Sequence, residues 1–213
     1  MMLWRLSLEL LMASLAKMRS PRSGDFGAVI LSGGRSSRMG QDKALLRTPS
    51  GKMMIEIVSQ AASLVTSYVV EVGGNYSGHD YVADRSIHEG PLAASVAGLR
   101  AITSKRLFDG IFVLACDLAS IDSDALKSLV VLSGGCTVVP VVSGRAQYSC
   151  SFISASGVNR VLGKKEFRSS KWSELYEATD DVVYLDVDLE PNLVPDAFLD
   201  VDTPSEYTSL FHT

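Results

Sequence analysis

Ala28-Val29-Ile30-Leu31-Ser32-Gly33-Gly34-Arg35-Ser36-Ser37-Arg38-Met39-Gly40-Gln41-Asp42-Lys43 is the stretch on which the fold turns. Residues 28–31 are wholly apolar, which suits a strand buried on both faces of a parallel sheet. The run stops at Ser32-Gly33-Gly34. Glycine lets a backbone approach a ligand closely and adopt positive φ, and consecutive N–H groups in such a turn can cradle a polyphosphate. Arg35, Arg38 and Lys43 add three cations to the same short loop. The plain alternative is a solvated basic turn. Two familiar phosphate loops do not fit: GxxxxGK[ST] would need one residue fewer between Gly34 and Gly40, and GxGxxG is absent.

Outward from this turn, strand-like and helix-like segments alternate. Residues 53–65 place Met54, Ile57, Val58, Ala61, Leu64 and Val65 on one helical face. Residues 68–72 read as a second strand and residues 79–83 as a short third. A helix over 92–102 follows, with Pro91 near its first turn, where proline is tolerated. Residues 111–115 form another all-apolar strand, and residues 122–132 a helix that Asp122 or Ser123 can cap. Two strands, 137–142 and 147–153, flank the turn Ser143-Gly144. Helices over 159–163 and 169–178, a strand over 182–187 and a last helix over 204–211 complete the series. Alternating βα units imply an α/β fold: a three-layer α/β/α arrangement around a mainly parallel sheet, with a Rossmann-like nucleotide-binding half.

The chain of 213 residues, 46% hydrophobic and 21% charged, is ordinary for a globular domain. Its net charge of -4 gives no basic field to recruit nucleic acid. Cys116, Cys136 and Cys150 are too scattered for a disulfide framework or a CxxC site, and imply a reducing, cytoplasmic setting. His79, His88 and His212 lack metal-ligand spacing and read as surface or turn residues. Near the start, Leu3, Leu6, Leu10 and Met12 form an apolar stripe, but Arg5 and Glu9 interrupt it, so no membrane span is expected. Ser20-Pro21-Arg22-Ser23-Gly24 reads as a linker. Residues 1–26 are therefore assigned as an extension and linker, and residues 27–213 as one domain.

Asp117 draws notice because it closes the apolar strand in Leu114-Ala115-Cys116-Asp117. A carboxylate at the carboxyl end of a parallel strand stands where open α/β sheets bind ligands. Its oxygens suit Mg²⁺, which takes one or two carboxylates plus substrate phosphates; the plain alternative is a helix-capping aspartate. Near the other end, Asp200 and Asp202 in Asp200-Val201-Asp202-Thr203-Pro204 share a face if that segment is extended. Thr203-Pro204 also reads as a helix cap and first turn.

The string Leu-Ser-Gly-Gly-x-Ser-x-Arg-Met-Gly-x-Asp-Lys at residues 31–43 closely resembles the opening of the GT-A-like nucleotidyltransferases, and within them the molybdenum cofactor guanylyltransferases of the MobA family. The resemblance extends to about Leu210. It implies a nucleotide site made of Leu31, Ser32, Gly33, Gly34, Arg38, Lys43, Asp84, Gly90 and Asp117. Arg38, Lys43 and Asp117 would be catalytic, and Mg²⁺ would lie on Asp117, with Asp202 preferred as second ligand. It implies GTP and a phosphorylated pterin as substrates, and transient contact with other cofactor-biosynthesis proteins. Gly144-Arg145-x-Gln147 is similar to the family's acceptor-side strand, and residues 169–172 fall where the family has a helix near the pterin. Departures are Ala94, where the family usually has glycine, and Ala119-Ser120, where it has proline after Cys-Asp-x. These leave open a transferase using CTP or another acceptor, and a non-catalytic nucleotide-binding protein.

Overall fold

The computed structural model describes residues 24–33, 42–83 and 90–211. Among these, eight strands occur: β1 (Phe26–Leu31), β2 (Tyr68–Val72), β3 (Asp80–Val82), β4 (Gly110–Ala115), β5 (Thr137–Val142), β6 (Arg145–Ala146), β7 (Cys150–Ser154) and β8 (Val182–Asp186). The helices are α1 (Met54–Ser63), α2 (Gly90–Thr103), α3 (Ser123–Ser133), α4 (Ala155–Gly163), α5 (Ser173–Glu177) and α6 (Pro204–Phe211). Strand order is β3-β2-β1-β4-β7-β5-β6, with β8 on β5. The sheet is mainly parallel: β1 pairs in parallel with β2 and β4, β2 with β3, and β5 with β8. Only β7 and β6 run against the rest.

Side-chain alternation along the strands builds two cores. Ala28 and Ile30 of β1 and Phe112 and Leu114 of β4 join α1 and α3 on one face. Val29 and Leu31, with Ile111 and Val113, join α2, α4 and α5 on the other. Ile111, Phe112, Val113 and Leu114 are at most 1% exposed; full burial of such side chains stabilises by about 1.5–3 kcal/mol each. α2 lies close on the sheet because Gly98 has no side chain. A Cβ there would lie 2.3 Å from Val29 Cγ1.

Local capping explains where elements start. Asp122 accepts from Asp124 N at 3.0 Å and Ala125 N at 2.8 Å, starting α3, and Gly134 ends it at φ +58°. α4 begins at Ala155, ahead of the apolar spacing that pointed to residue 159. Ser154 caps it by accepting from Gly157 N at 2.9 Å. α5 spans only Ser173–Glu177 of the segment 169–178. The Ser143-Gly144 turn, with φ of 48° and 72°, joins β5 to the two-residue β6, and β7 begins later, at Cys150.

The parallel registers end together, Leu31 beside Val72 in one pair and beside Ala115 in the other. That shared edge carries the candidate site.

Candidate active site

Beyond β1 the chain returns at Asp42, which caps a single 3-10 turn, Lys43–Leu45, by accepting from Ala44 N at 3.1 Å. This turn presents Lys43 toward the end of β4. Its Nζ lies 2.9 Å from Asp117 Oδ2 and also bonds Asp202. The C-terminal segment reaches the same place because Val201 N donates to the Asp117 carbonyl at 3.1 Å. Three of the residues singled out in the sequence, separated by up to 159 positions, therefore meet at one point.

The electrostatics of this cluster are asymmetric. Burial pulls the Lys43 ammonium down, but the Asp117 charge and the bond to Asp202 outweigh it and raise Lys43 to about 12. Lys43 is thus a fixed cation at working pH. Burial pushes Asp117 up against the opposing pull of Lys43. Among the described residues, Asp117 Oδ1 is buried and accepts no hydrogen bond, an uncommon state for a buried carboxylate oxygen. Asp200 is pushed up to about 6, by burial first and then by the charges of Asp117 and Asp202. No three His, Cys, Asp or Glu side chains converge on one metal position among the described residues.

The remaining sequence candidates fall in different places. Gly34, Arg35, Arg38 and Asp84 lie outside the described residues. Ser32 and Gly33 lie against the end of β2. Their N–H groups are both donated to the Val72 carbonyl, at 2.9 and 3.2 Å, rather than left open to an anion. The Ser32 hydroxyl donates to Glu71 and accepts from Gly74 N at 2.9 Å. Leu31 accepts from Cys116 N at 3.0 Å. Residues 31–33 are thus stitched to β2 and to the end of β4. Gly33 abuts Gly73, whose φ is +113° and where a Cβ would lie 2.3 Å from Gly33 N.

Gly90 opens α2 at φ +82°, and a Cβ there would lie 3.6 Å from the Ser170 carbonyl oxygen. Trp172 Nε1 donates to Ser95 Oγ at 3.2 Å, so residues 170–172 lie against the first turns of α2. Ala94 is buried in the apolar cluster beneath α2. Arg145 is exposed on β6. Thr203 caps α6 reciprocally with Glu206: Glu206 N donates to Thr203 Oγ1 and Thr203 N to Glu206 Oε2, at 3.2 and 2.8 Å. His79 bonds Ser59 and Ser63 beside α1, away from the cluster. Cys116, Cys136 and Cys150 are free thiols.

Sequence reasoning missed Glu71, Asp42 and Tyr76. Glu71 is wholly buried and accepts from Ser32 Oγ, Tyr76 N, Ser77 N and Ser77 Oγ. A lone charge inside the otherwise apolar or aromatic strand Tyr68-Val69-Val70-Glu71-Val72 was the available signal.

Residues 28–182 match the MobA-like NTP transferase domain. The chain belongs to that family. It is a nucleotidyltransferase by family, with the sheet and terminal cluster just described. A probable molybdenum cofactor guanylyltransferase of Natranaerobius thermophilus is 32% identical over 55% of this chain and 60% of its own length. The chain thus spans about three fifths of that relative. One from Pelotomaculum thermopropionicum is 29% identical over 84% of this chain and 88% of its own. The crystal structure of molybdopterin-guanine dinucleotide biosynthesis protein A from Archaeoglobus fulgidus has a similar fold. Its TM-score is 0.65 at 21% identity, over 87% of this chain and 96% of that one.

Among the described residues no helix of this transferase is long and apolar enough to cross a membrane.

Proposed function

We propose that the chain transfers the guanylyl group of GTP to a phosphorylated molybdopterin cofactor, with pyrophosphate as the other product. The observation that carries this is the convergence of Lys43, Asp117 and Asp202 at the carboxyl ends of β1 and β4. Two curated relatives bearing the guanylyltransferase name add support.

In this reaction an oxygen of the acceptor phosphate attacks the α-phosphorus. The bond from that phosphorus to the bridging oxygen of the β-phosphate breaks, and pyrophosphate leaves with the electron pair. An acceptor monoester is already anionic near neutral pH, so no residue need act as general base. Positioning and charge neutralisation dominate. Lys43 holds the triphosphate and offsets the charge that develops on it. Arg38 is assigned the same task from the sequence. Leu31, Ser32, Gly33 and Gly34 remain assigned to the nucleotide from the sequence. Asp84 and Gly90 remain assigned to the nucleoside side.

The donor set suits a hard cation. Asp117 Oδ1 is buried without a partner among the described residues, and Asp202 lies across Lys43 from it. Asp117 and Asp202 would hold Mg²⁺, with substrate phosphates filling the remaining positions. When bound, the cation neutralises phosphate charge and fixes in-line geometry.

A second reading, with CTP as donor, was raised by Ala94. The methyl group of Ala94 packs into the apolar cluster on the α2 side of the sheet, so it gives no support to a CTP pocket. The test is product mass after incubation with Mg²⁺, molybdopterin and each of GTP, CTP and ATP. The guanine dinucleotide form is expected from GTP. A cytosine product as the main species would transfer the assignment to a cytidylyltransferase.

A further inference from the structure

We propose that Tyr76 is a positioning residue for Lys43, acting through Asp42 from an anchor at the buried Glu71; the proposal rests on the reading of Lys43 as the triphosphate-holding cation. Tyr76 Oη donates to Asp42 Oδ2 at 2.6 Å. The other oxygen, Asp42 Oδ1, accepts from Ala44 N at 3.1 Å. Both carboxylate oxygens of Asp42 are therefore committed, one to the cap of the turn Lys43–Leu45 and one to the phenol. Leu45 N and Leu46 N close that turn onto the Asp42 and Lys43 carbonyls, each at 3.1 Å. Lys43 leaves the turn at its first position, so fixing Asp42 fixes where the Lys43 stem begins.

The phenol is itself held from behind. Tyr76 N donates to both Glu71 oxygens, at 3.2 and 3.1 Å, and Ser77 N donates at 2.8 Å. Ser32 and Ser77 hydroxyls complete the shell around the carboxylate. A buried carboxylate is costly unless bonded in this way, and a fully satisfied network of this kind fixes one geometry. Gly74 gives the ring its space, since a Cβ there would lie 2.2 Å from Tyr76 Cε2. The Asp42 carboxylate raises the Tyr76 phenol to about 12, ahead of a smaller contribution from burial, so the phenol remains a donor throughout the working range.

Lysine is a rotamer-rich side chain, and ordering it before the ligand arrives reduces the entropic cost of binding. The brace thus acts on contacts to the phosphates and not on contacts to the base. None of this touches substrate directly.

The experiment is a calorimetric titration of Mg²⁺-GTP and of guanosine into wild type, Tyr76→Phe, Lys43→Ala and the double variant. Tyr76→Phe is expected to weaken GTP about three- to tenfold, leaving guanosine affinity and melting temperature unchanged. In the Lys43→Ala background the same substitution is expected to add nothing, a result that general loosening of the loop would not give. Tyr68→Phe, which deletes another phenol–carboxylate bond at the β3 edge, is the control and should leave GTP binding intact. Wild-type GTP affinity in Tyr76→Phe, beside a weakened Lys43→Ala, overturns the brace alone. So does an equal loss with and without Lys43. Wild-type GTP affinity in Lys43→Ala overturns both the brace and the reading beneath it.

Discussion

Glu71 anchors the turn after β2 by accepting from Ser32, Tyr76 and Ser77. Its carboxyl is held below the ordinary carboxylate range: burial acts upward, but the donors Ser32, Ser77 and Tyr76 outweigh it. A depressed folded-state value means that the stabilisation is fully present above the unfolded value near 4.5 and is lost as pH falls through the folded one. Glu71→Gln is therefore expected to cost about 1–3 kcal/mol near neutral pH, since one or more buried donors lose their acceptor. The deficit should shrink as pH falls from the unfolded value toward the lower folded one, where native wild type also surrenders its charge. Denaturant midpoints across a pH series check this, and a deficit independent of pH would remove the charge from the account. The Lys43, Asp117 and Asp202 meeting was legible from sequence through the family resemblance, which put all three at one site. The Glu71–Tyr76–Asp42 link was not, because side-chain bonds between β2's turn and the Lys43 turn leave no periodic trace. Nor was the use of the Ser32 and Gly33 N–H groups, which depends on how closely Gly73 approaches.

At the scale of elements, all-apolar runs proved the strongest signals. β1 and β4 lie where residues 28–31 and 111–115 pointed, because burial on both faces leaves no polar position to interrupt the pattern. The start of α4 was missed because apolar spacing was read and the capping Ser154 was not. The reversed direction of β7 is a matter of partner choice across the sheet, which a period of two cannot encode. Helix seating gives a direct prediction. Gly98→Ala would place a methyl 2.3 Å from Val29 Cγ1 and 2.9 Å from Val72 Cγ2. Valine side chains are stiff, so α2 must lift. The substitution is expected to cost about 1–3 kcal/mol despite alanine's better helix propensity. Thermal denaturation measures it, and an unchanged or raised melting temperature would mean the α2–β1 contact yields freely.

At the scale of the molecule, two half-cores flank one sheet, and the edge where β1, β2 and β4 end is the place where loops from distant parts of the chain meet. The α/β class, the mainly parallel sheet and the family were readable from residues 28–43 and the alternation that follows. The nucleotide's base was not, because base contacts are buried polar groups that residue types alone do not display. Reading Ser20–Gly24 as a linker predicts that removing residues 1–19 leaves melting temperature and turnover nearly unchanged. A fall of more than about 5 °C would show that the apolar stripe packs on the core. The central claim is that the Lys43–Asp117–Asp202 cluster performs nucleotidyl transfer. Its most direct test is pyrophosphate release from GTP with Mg²⁺ and molybdopterin, comparing wild type with Asp117→Asn. The substitution keeps the side chain's shape and removes its charge, while Asp202 still pairs with Lys43. Release should fall at least about a hundredfold in a variant that melts as wild type does. Wild-type release by Asp117→Asn, with its Mg²⁺ dependence intact, would contradict the account.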